Sequence, residues 1–144
     1  MISGKKLKEL RLIRNLTQKE LAIKSGISDA AIRNYELGNR SPTKQQLDKI
    51  SSALNCDPGA ITDHNLYTNI DFYQIIFDLE TNFKLRPYRD ESGMSFLMSN
   101  SPEFNDFLKE WDDMRKKHYN NEISDEEFRD WKISYPKKSA LLKK

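Results

Sequence analysis

Apolar residues recur at helical spacing from the start of the chain. Leu7, Leu10 and Ile13 follow one another at i, i+3 and i+6, the spacing of a buried helical stripe. Ser3 precedes them with a side chain that can accept a hydrogen bond from the first helical turn. The pattern predicts a first helix over residues 4–14.

Residues 17–38 predict two short helices joined by a tight turn. Thr17 and Glu20 have the spacing of a capping box, which begins the first of these helices. Gly26 is placed to turn the chain, Ser28 to cap the second helix, and Gly38 to end it. The core-facing side is formed by Leu21, Ala22, Ala31, Ile32 and Tyr35. This is a helix-turn-helix, a unit that lays its second helix in the major groove of DNA.

The apolar pattern continues into a fourth helix and a short fifth turn. The fourth helix begins near Thr43 and turns Leu47, Ile50 and Leu54 inward. Asp57 is then predicted to cap the short fifth turn, with Pro58 at its first helical position. Five short helices predict a DNA-binding domain over residues 1–63, followed by a linker over 64–70.

The second part of the chain has a different pattern. Apolar residues mark one face of a helix over 71–82, and the runs 85–89 and 94–98 predict a β-hairpin. Ser101 and Ser124 then begin two further helices. The expected fold is mainly α, with a small α+β domain over 71–136 (helix, β-hairpin, two helices) and a basic disordered tail over 137–144.

Charge is distributed unevenly between these parts. Residues 1–64 hold 11 Lys and Arg against 7 Asp and Glu, a net charge of +4. Residues 65–135 hold 9 against 15, a net charge of −6. Only the positive part suits a phosphate backbone, so the two parts are expected to have different roles.

The segment from Thr17 to Pro42 resembles the lambda-repressor-like, Cro/XRE-type helix-turn-helix family, and the likeness extends loosely over about residues 3–63. The matching residues are Thr17, Gln18, Glu20, Leu21, Ala22, Gly26, Ile27, Ser28, Ile32, Tyr35, Glu36, Gly38, Arg40 and Pro42. The resemblance implies a sequence-specific regulator that binds double-stranded DNA, a repressor of bacterial, phage or mobile-element origin.

The outward side of the second helix provides the candidate base contacts: Ser28, Asp29, Ala30, Arg33 and Asn34. Asn34 can pair bidentately with adenine, and Ala30 can touch a thymine methyl. For Asp29 two interpretations remain open. Its carboxylate can accept a hydrogen bond from cytosine, or it can simply place negative charge at a helix N-terminus.

The resemblance also implies contacts to the DNA backbone and one structural pair. Candidate backbone contacts are Thr17, Gln18, Asn39, Arg40, Ser41 and Lys44. For Thr17, capping alone is an alternative role. Arg11 and Glu36 stand where the family often forms a partly buried ion pair, and they are interpreted as structural.

A single domain of this kind covers few base pairs, so a homodimer is expected, paired through residues 71–136. The aromatic residues of that part either form the contact between the two subunits or fill the core of the part itself. A rival hypothesis makes 71–136 an acidic protein-binding module, as in an antitoxin or anti-CRISPR protein with an autoregulatory helix-turn-helix. A third, a ligand-responsive regulator, has no specific residue behind it.

Other chemistry finds little support in the sequence. His64 and His118 lack ligand-spaced partners, and no catalytic or phosphate-cradling motif occurs, so neither an enzyme nor a cofactor is expected. Cys56 is the only cysteine, which excludes an internal disulfide and suits a reducing cytoplasm. No apolar run is long enough to span a membrane.

Overall fold

The structure is a computed structural model that describes residues 1–64 and 68–137. In these residues it contains seven α-helices, a short 3-10 helix and a two-stranded antiparallel sheet, which confirms the predicted fold class. The elements are α1 Gly4–Ile13, α2 Gln18–Ser25, α3 Asp29–Glu36, α4 Lys44–Ala53, the 3-10 helix Pro58–Ile61, α5 Asn69–Phe83, β1 Leu85–Arg89, β2 Ser95–Ser99, α6 Pro102–Tyr119 and α7 Asp125–Ser134.

The chain divides into two compact units. Among the described residues, the first unit is formed by 1–64 together with 129–137, and the second by 68–128. The expected division differs, because it assigned residues 129–136 to the second part. Thr68 caps α5, so residues 68–70 belong to the start of that helix rather than to a linker. The other linker residues 65–67 and the tail residues 138–144 lie outside the described residues.

The first unit has a continuous apolar core. The elements α1, α2, α3, α4 and the 3-10 helix each contribute a fully buried apolar side chain: Leu7, Leu21, Ile32, Ile50 and Ile61. The cap side chains predicted for the first three helices, Ser3, Thr17 and Ser28, each accept a backbone N–H in the first turn, and Thr43 does the same for α4. Burial of these apolar side chains, at about 1.5–3 kcal/mol each, is the main stabilising contribution to the unit.

The end of α7 completes this core. Ile133 packs against the buried cluster, and its carbonyl oxygen accepts the N–H of Asp57 at 2.8 Å. The Lys137 ammonium donates to the Cys56 carbonyl at 3.0 Å, and Arg14 forms an ion pair with Asp130. These contacts are the reason that residues 129–137 group with the first unit. An amphipathic helix pattern shows which face is buried, but not which core it is buried in.

A close approach of two helices depends on Gly4. A Cβ atom added there would lie 2.5 Å from the carbonyl oxygen of Glu36 and 2.6 Å from that of Tyr35, at the end of α3. Both neighbours are backbone atoms, so they cannot move aside by rotating a side chain. Gly4 therefore sets the distance between α1 and the helix that would meet DNA.

We predict that Gly4→Ala destabilises the first unit by about 1–3 kcal/mol, the usual cost of overpacking. A denaturant titration followed by circular dichroism measures the change. Gly59→Ala is the matched control, because a Cβ atom there would meet only a side-chain oxygen of Asp57, at 3.0 Å. An equal loss in both variants would contradict the steric explanation.

The second unit has much less buried surface. Among its described residues 68–128, only Ser99 is buried, and no apolar side chain is. Some aromatic rings pack together, as in the pairs Phe83–Phe104 and Phe107–Trp111, whose centroids lie 5.3 and 6.0 Å apart. Many other large apolar side chains are exposed: Ile70, Phe72, Tyr73, Ile75, Phe77, Leu79, Tyr88, Met94, Phe96, Leu97, Met98, Trp111 and Tyr119. The expected inward face of the 71–82 helix is therefore only partly covered.

Candidate nucleic-acid interface

Local sequence determines the geometry of α2, the turn and α3. Thr17 and Glu20 form a complete capping box at the start of α2. Gly26 ends the helix with a φ of 66°, a left-handed conformation that glycine adopts without steric cost. Ser28 then caps α3 by accepting the N–H of Ala31 at 3.2 Å. With Ile32 and Tyr35 buried, the opposite side of α3 faces solvent.

The candidate base-contacting residues lie along that solvent-facing side. Ser28, Asp29, Ala30 and Arg33 are exposed, and Asn34 is half-buried. The Asn34 amide donates to the Ala30 carbonyl at 2.9 Å, and its oxygen lies 3.4 Å from the Asn39 amide nitrogen. One amide hydrogen and one oxygen lone pair remain, which is what bidentate pairing with adenine requires. These local bonds hold the Asn34 side chain in one orientation.

Two of the candidate side chains already have local partners. The Asp29 carboxylate accepts the N–H of Ala30 at 2.9 Å, as expected of negative charge at a helix N-terminus. The Thr17 hydroxyl accepts the N–H of Glu20 and donates to the Glu20 carboxylate at 2.8 Å. Of the alternatives left open by the sequence, the capping role of Thr17 and the helix-terminus role of Asp29 match these bonds.

A hydrogen-bonded network connects α1, α2 and α3 behind this surface. Arg11 binds both oxygens of Glu36, at 2.5 and 3.0 Å, and also donates to the carbonyl of Leu16 at 2.7 Å. The Gln18 amide donates to the same Glu36 carboxylate at 2.9 Å. The side chains of Arg11 and Glu36 are 8% and 3% exposed, so the pair is buried. The network fixes Gln18 relative to α3.

The ionisation of this pair follows from its partners. Burial acts to raise the pKa of Glu36, but the hydrogen bonds from Arg11 and Gln18 outweigh it, and the pKa lies below its ordinary value of 4.5. The bond to Glu36 raises the pKa of Arg11. Both groups are therefore charged at neutral pH.

A groove of about 790 Å³ collects most of the candidate residues on one surface of the first unit. It runs between the start of α2 and the outward side of α3, and it is lined by Arg11, Thr17, Gln18, Lys19, Asp29, Ala30, Arg33, Asn34, Leu37 and Asn39. Ser28, Arg40, Ser41 and Lys44 are exposed but do not line the groove.

Two lining residues, Lys19 and Leu37, were missed in the sequence. Leu37 follows Ala30 by seven positions and Asn34 by three, so helical spacing could have found it. Its side chain is 62% exposed, which leaves it available to touch an apolar group such as a thymine methyl. Lys19 follows Gln18 directly and adds positive charge at the groove.

This geometry defines a class of protein: a capped helix-turn-helix with an outward, polar second helix. Residues 7–61, which are less than half of the chain, match the family model described as helix-turn-helix. This match supports a DNA-binding role for the first unit. None of the curated proteins matches the chain.

Three solved structures are similar to the chain. One is the restriction-modification controller protein C.AhdI from Aeromonas hydrophila, which is 30% identical over 41% of this chain and 89% of that one, with a TM-score of 0.40. A variant of the controller protein C.Esp1396I is 23% identical over 55% of this chain and 88% of its own length, with a TM-score of 0.35. A chain from the complex of SinR with SinI is 21% identical over 82% of this chain and 100% of its own length, with a TM-score of 0.45.

Two other kinds of site are not found in the described part of the chain. Residues 1–64 and 68–137 contain no group of three or more His, Cys, Asp or Glu side chains arranged to hold a metal ion. No helix within those residues is both long enough and apolar enough to cross a membrane.

Proposed function

We propose that the protein is a sequence-specific repressor that reads the major groove of double-stranded DNA with α3 and blocks a promoter by occupying it. The observation that supports this most is the orientation of Asn34. Its amide points from the outward side of α3 and keeps one donor and one acceptor available, beside exposed Ala30 and Arg33. A bidentate amide–adenine pair discriminates between bases by roughly 1–3 kcal/mol.

Contacts to the DNA backbone would fix the register of α3 in the groove. We assign them to Gln18, which the Glu36 carboxylate orients, and to Asn39, Arg40 and Ser41 in the loop that follows α3. Lys19 and Lys44 add charge nearby. Each phosphate neutralised by a cation contributes a slope of about −0.9 to the dependence of log affinity on log salt. Ser28, Thr17 and Asp29 serve chiefly as caps in this proposal.

Two copies would bind together on a two-fold symmetric operator. One helix-turn-helix covers few base pairs, and paired half-sites lie about 10–10.5 base pairs apart or at multiples of that spacing. We assign the pairing to the second unit, because its many exposed apolar side chains are typical of a surface that a protein partner covers.

We predict that Asn34→Ala and Arg40→Ala affect binding in different ways. Asn34→Ala should reduce preference at one base pair by about 5- to 150-fold, because it removes a base contact. Arg40→Ala and Gln18→Ala should weaken binding to every sequence, and Arg40→Ala should also lower the salt slope by about 1. Fluorescence anisotropy isotherms on matched and singly mismatched operators, at several salt concentrations, measure both effects.

Lys49→Ala is the control for this experiment. Lys49 is an exposed cation on α4 that does not line the groove, so its loss should change neither preference nor salt slope beyond the effect of net charge. The assignment of Asn34 is wrong if its replacement weakens all sequences equally. A thermal melt of each variant separates loss of contacts from loss of folding.

An acidic partner-binding role for the second unit is the alternative function. Its support is the net charge of −6 over residues 65–135 together with the exposed apolar side chains. A stable complex with a different host protein, formed by a chain that stays monomeric on its own, would favour this alternative over homodimerisation.

A further inference from the structure

The hairpin of the second unit has two edges of unlike character. Leu85 pairs with Ser99, Pro87 with Leu97, and Arg89 with Ser95. The Asn100 N–H donates to the Lys84 carbonyl at 3.2 Å, and the Asp90 N–H donates to the Met94 carbonyl at 3.0 Å. Because hydrogen-bonded and non-hydrogen-bonded pairs alternate along an antiparallel ladder, the Pro87–Leu97 pair is non-hydrogen-bonded. The backbone groups of both residues therefore point away from the hairpin.

The outer edge of β1 is poorly suited to further pairing. At its centre Pro87 has no N–H to offer, and proline on an edge is a common way to prevent strand addition. Arg86 and Arg89 place two positive charges along the same strand.

The outer edge of β2 is open. The sequence Ser95-Phe-Leu-Met-Ser99 contains no charge, proline or glycine. At its centre the N–H and carbonyl of Leu97 point outward with no partner among the described residues, and the side chain is 48% exposed. At one end the Ser99 carbonyl accepts the Asn105 amide at 2.7 Å, so that end is partly occupied. An open, uncharged edge of this kind pairs readily with another strand.

The sequence of β2 also indicates which strand would fit. A strand that pairs with its own copy about a two-fold axis meets itself in reverse order. With Leu97 on the axis, Ser95 meets Ser99 of the second copy and Phe96 meets Met98, so every cross-strand pair joins residues of like polarity. No charged residue opposes its own copy, and the edge is therefore self-complementary.

We propose that two copies of the chain pair through β2, antiparallel and centred on Leu97, and so form a four-stranded sheet in the order β1-β2-β2-β1. The two Leu97 residues exchange both backbone hydrogen bonds. Phe96 and Met98, 46% and 37% exposed, pack across the junction. A two-stranded hairpin exposed on both faces is only marginally stable in water, and pairing with two further strands stabilises it. The pairing is isologous, as in most homodimers.

Pairing through β2 rests on the proposed function in one respect: binding to a two-fold symmetric operator is the reason that two copies are needed. It is tested on the full chain without DNA by sedimentation equilibrium. We expect the wild-type chain to have twice its mass of 16.9 kDa. In Leu97→Pro the dissociation constant should rise on the order of 100-fold, because the two central hydrogen bonds are lost.

Leu97→Pro leaves the hairpin's own ladder intact, because the Leu97 N–H points outward. Leu97→Lys keeps that N–H and instead opposes two like charges, so it should also dissociate the dimer. The matched control is Ile70→Lys, which puts the same charge on an equally apolar, 61% exposed position of α5. This variant should remain dimeric. Circular dichroism checks that all three variants keep their helices.

Three results would overturn the inference: a monomeric wild-type chain, Leu97 variants that remain dimeric, or dissociation by Ile70→Lys alone. Failure of the proposed function is distinguishable from these. If the masses behave as expected but no DNA sequence is preferred, β2 pairing stands and the repressor proposal falls. If the Leu97 variants stay dimeric and still prefer one sequence, the repressor proposal stands and the pairing surface lies elsewhere.

Discussion

Replacing Glu36 with alanine is expected to lower the free energy of unfolding of the first unit by about 3–5 kcal/mol, the usual cost of breaking a buried ion pair from one side. The change leaves the Arg11 guanidinium buried, with the Leu16 carbonyl as its remaining hydrogen-bond acceptor. It also removes the acceptor of the Gln18 amide. A loss of this size is a large part of the stability of a small domain.

The effect should depend on pH in a definite direction. The pKa of Glu36 is lower in the folded chain than its ordinary value of 4.5. The pair's contribution is therefore fully present above about 4.5 and is lost as the pH falls through the folded pKa. Denaturant titrations of wild-type and Glu36→Ala chains at pH 7 and at pH 3–4 measure the difference, which should shrink at the lower pH.

Two variants serve as controls for this prediction. The double change Arg11→Met with Glu36→Leu replaces both charges by apolar groups of similar size, and it should recover most of the lost stability. Glu20→Ala removes a carboxylate that is exposed and part of a helix cap, and it should cost about 1 kcal/mol. A loss in Glu36→Ala no greater than in Glu20→Ala would contradict the buried-pair explanation.

Shortening the chain is expected to have the second large effect. A chain ending at Phe128 loses the packing of Ile133, its hydrogen bond to Asp57 and the Arg14–Asp130 ion pair. At about 1 kcal/mol for each, the first unit should lose on the order of 3 kcal/mol. The Cys56 carbonyl also loses its bond from Lys137.

Cys56 reports on this loss directly. Its side chain is fully buried, and burial raises the pKa of the thiol to about 11, so it should react very slowly with an aromatic disulfide reagent. In the chain ending at Phe128 we expect the reaction rate to rise at least 10-fold. The matched control is a chain ending at Lys137, which keeps every contact named above and should stay protected. Ile133→Asp in the full chain should behave like the short chain.

Equal protection of Cys56 in both shortened chains would contradict the view that the end of α7 belongs to the first unit. It would instead support the division expected from the sequence, in which residues 1–63 form a domain without help from residues 129–137.

The helix-turn-helix was predictable because local rules specify it. Capping boxes, a turn glycine and the helical spacing of apolar residues each act over a few positions, and around Thr17, Gly26 and Ser28 they all favour the same elements. Once Ala31, Ile32 and Tyr35 are assigned to the core-facing side of α3, the residues on its solvent-facing side are fixed as well. These residues carry both the family resemblance and the candidate DNA contacts.

What could not be predicted depends on contacts between distant residues. Nothing local in Gly4 indicates that it meets the end of α3, and the pattern around Ile133 does not specify which core it joins. For α5 the pattern predicted a buried face, yet Phe72 is 50% exposed. Helical periodicity identifies a face that needs covering, but a second molecule can supply the cover as well as the chain itself.

The central claim, that α3 reads a specific DNA sequence, is tested most directly by selecting bound sequences from random double-stranded DNA with the full chain. We predict convergence on a two-fold symmetric motif, with half-sites one or more helical turns apart. Asn34→Ala, selected in parallel, should lose preference at one symmetric pair of positions and retain the rest. Recovery of no motif by the wild-type chain, or of the same motif by Asn34→Ala, would contradict the account.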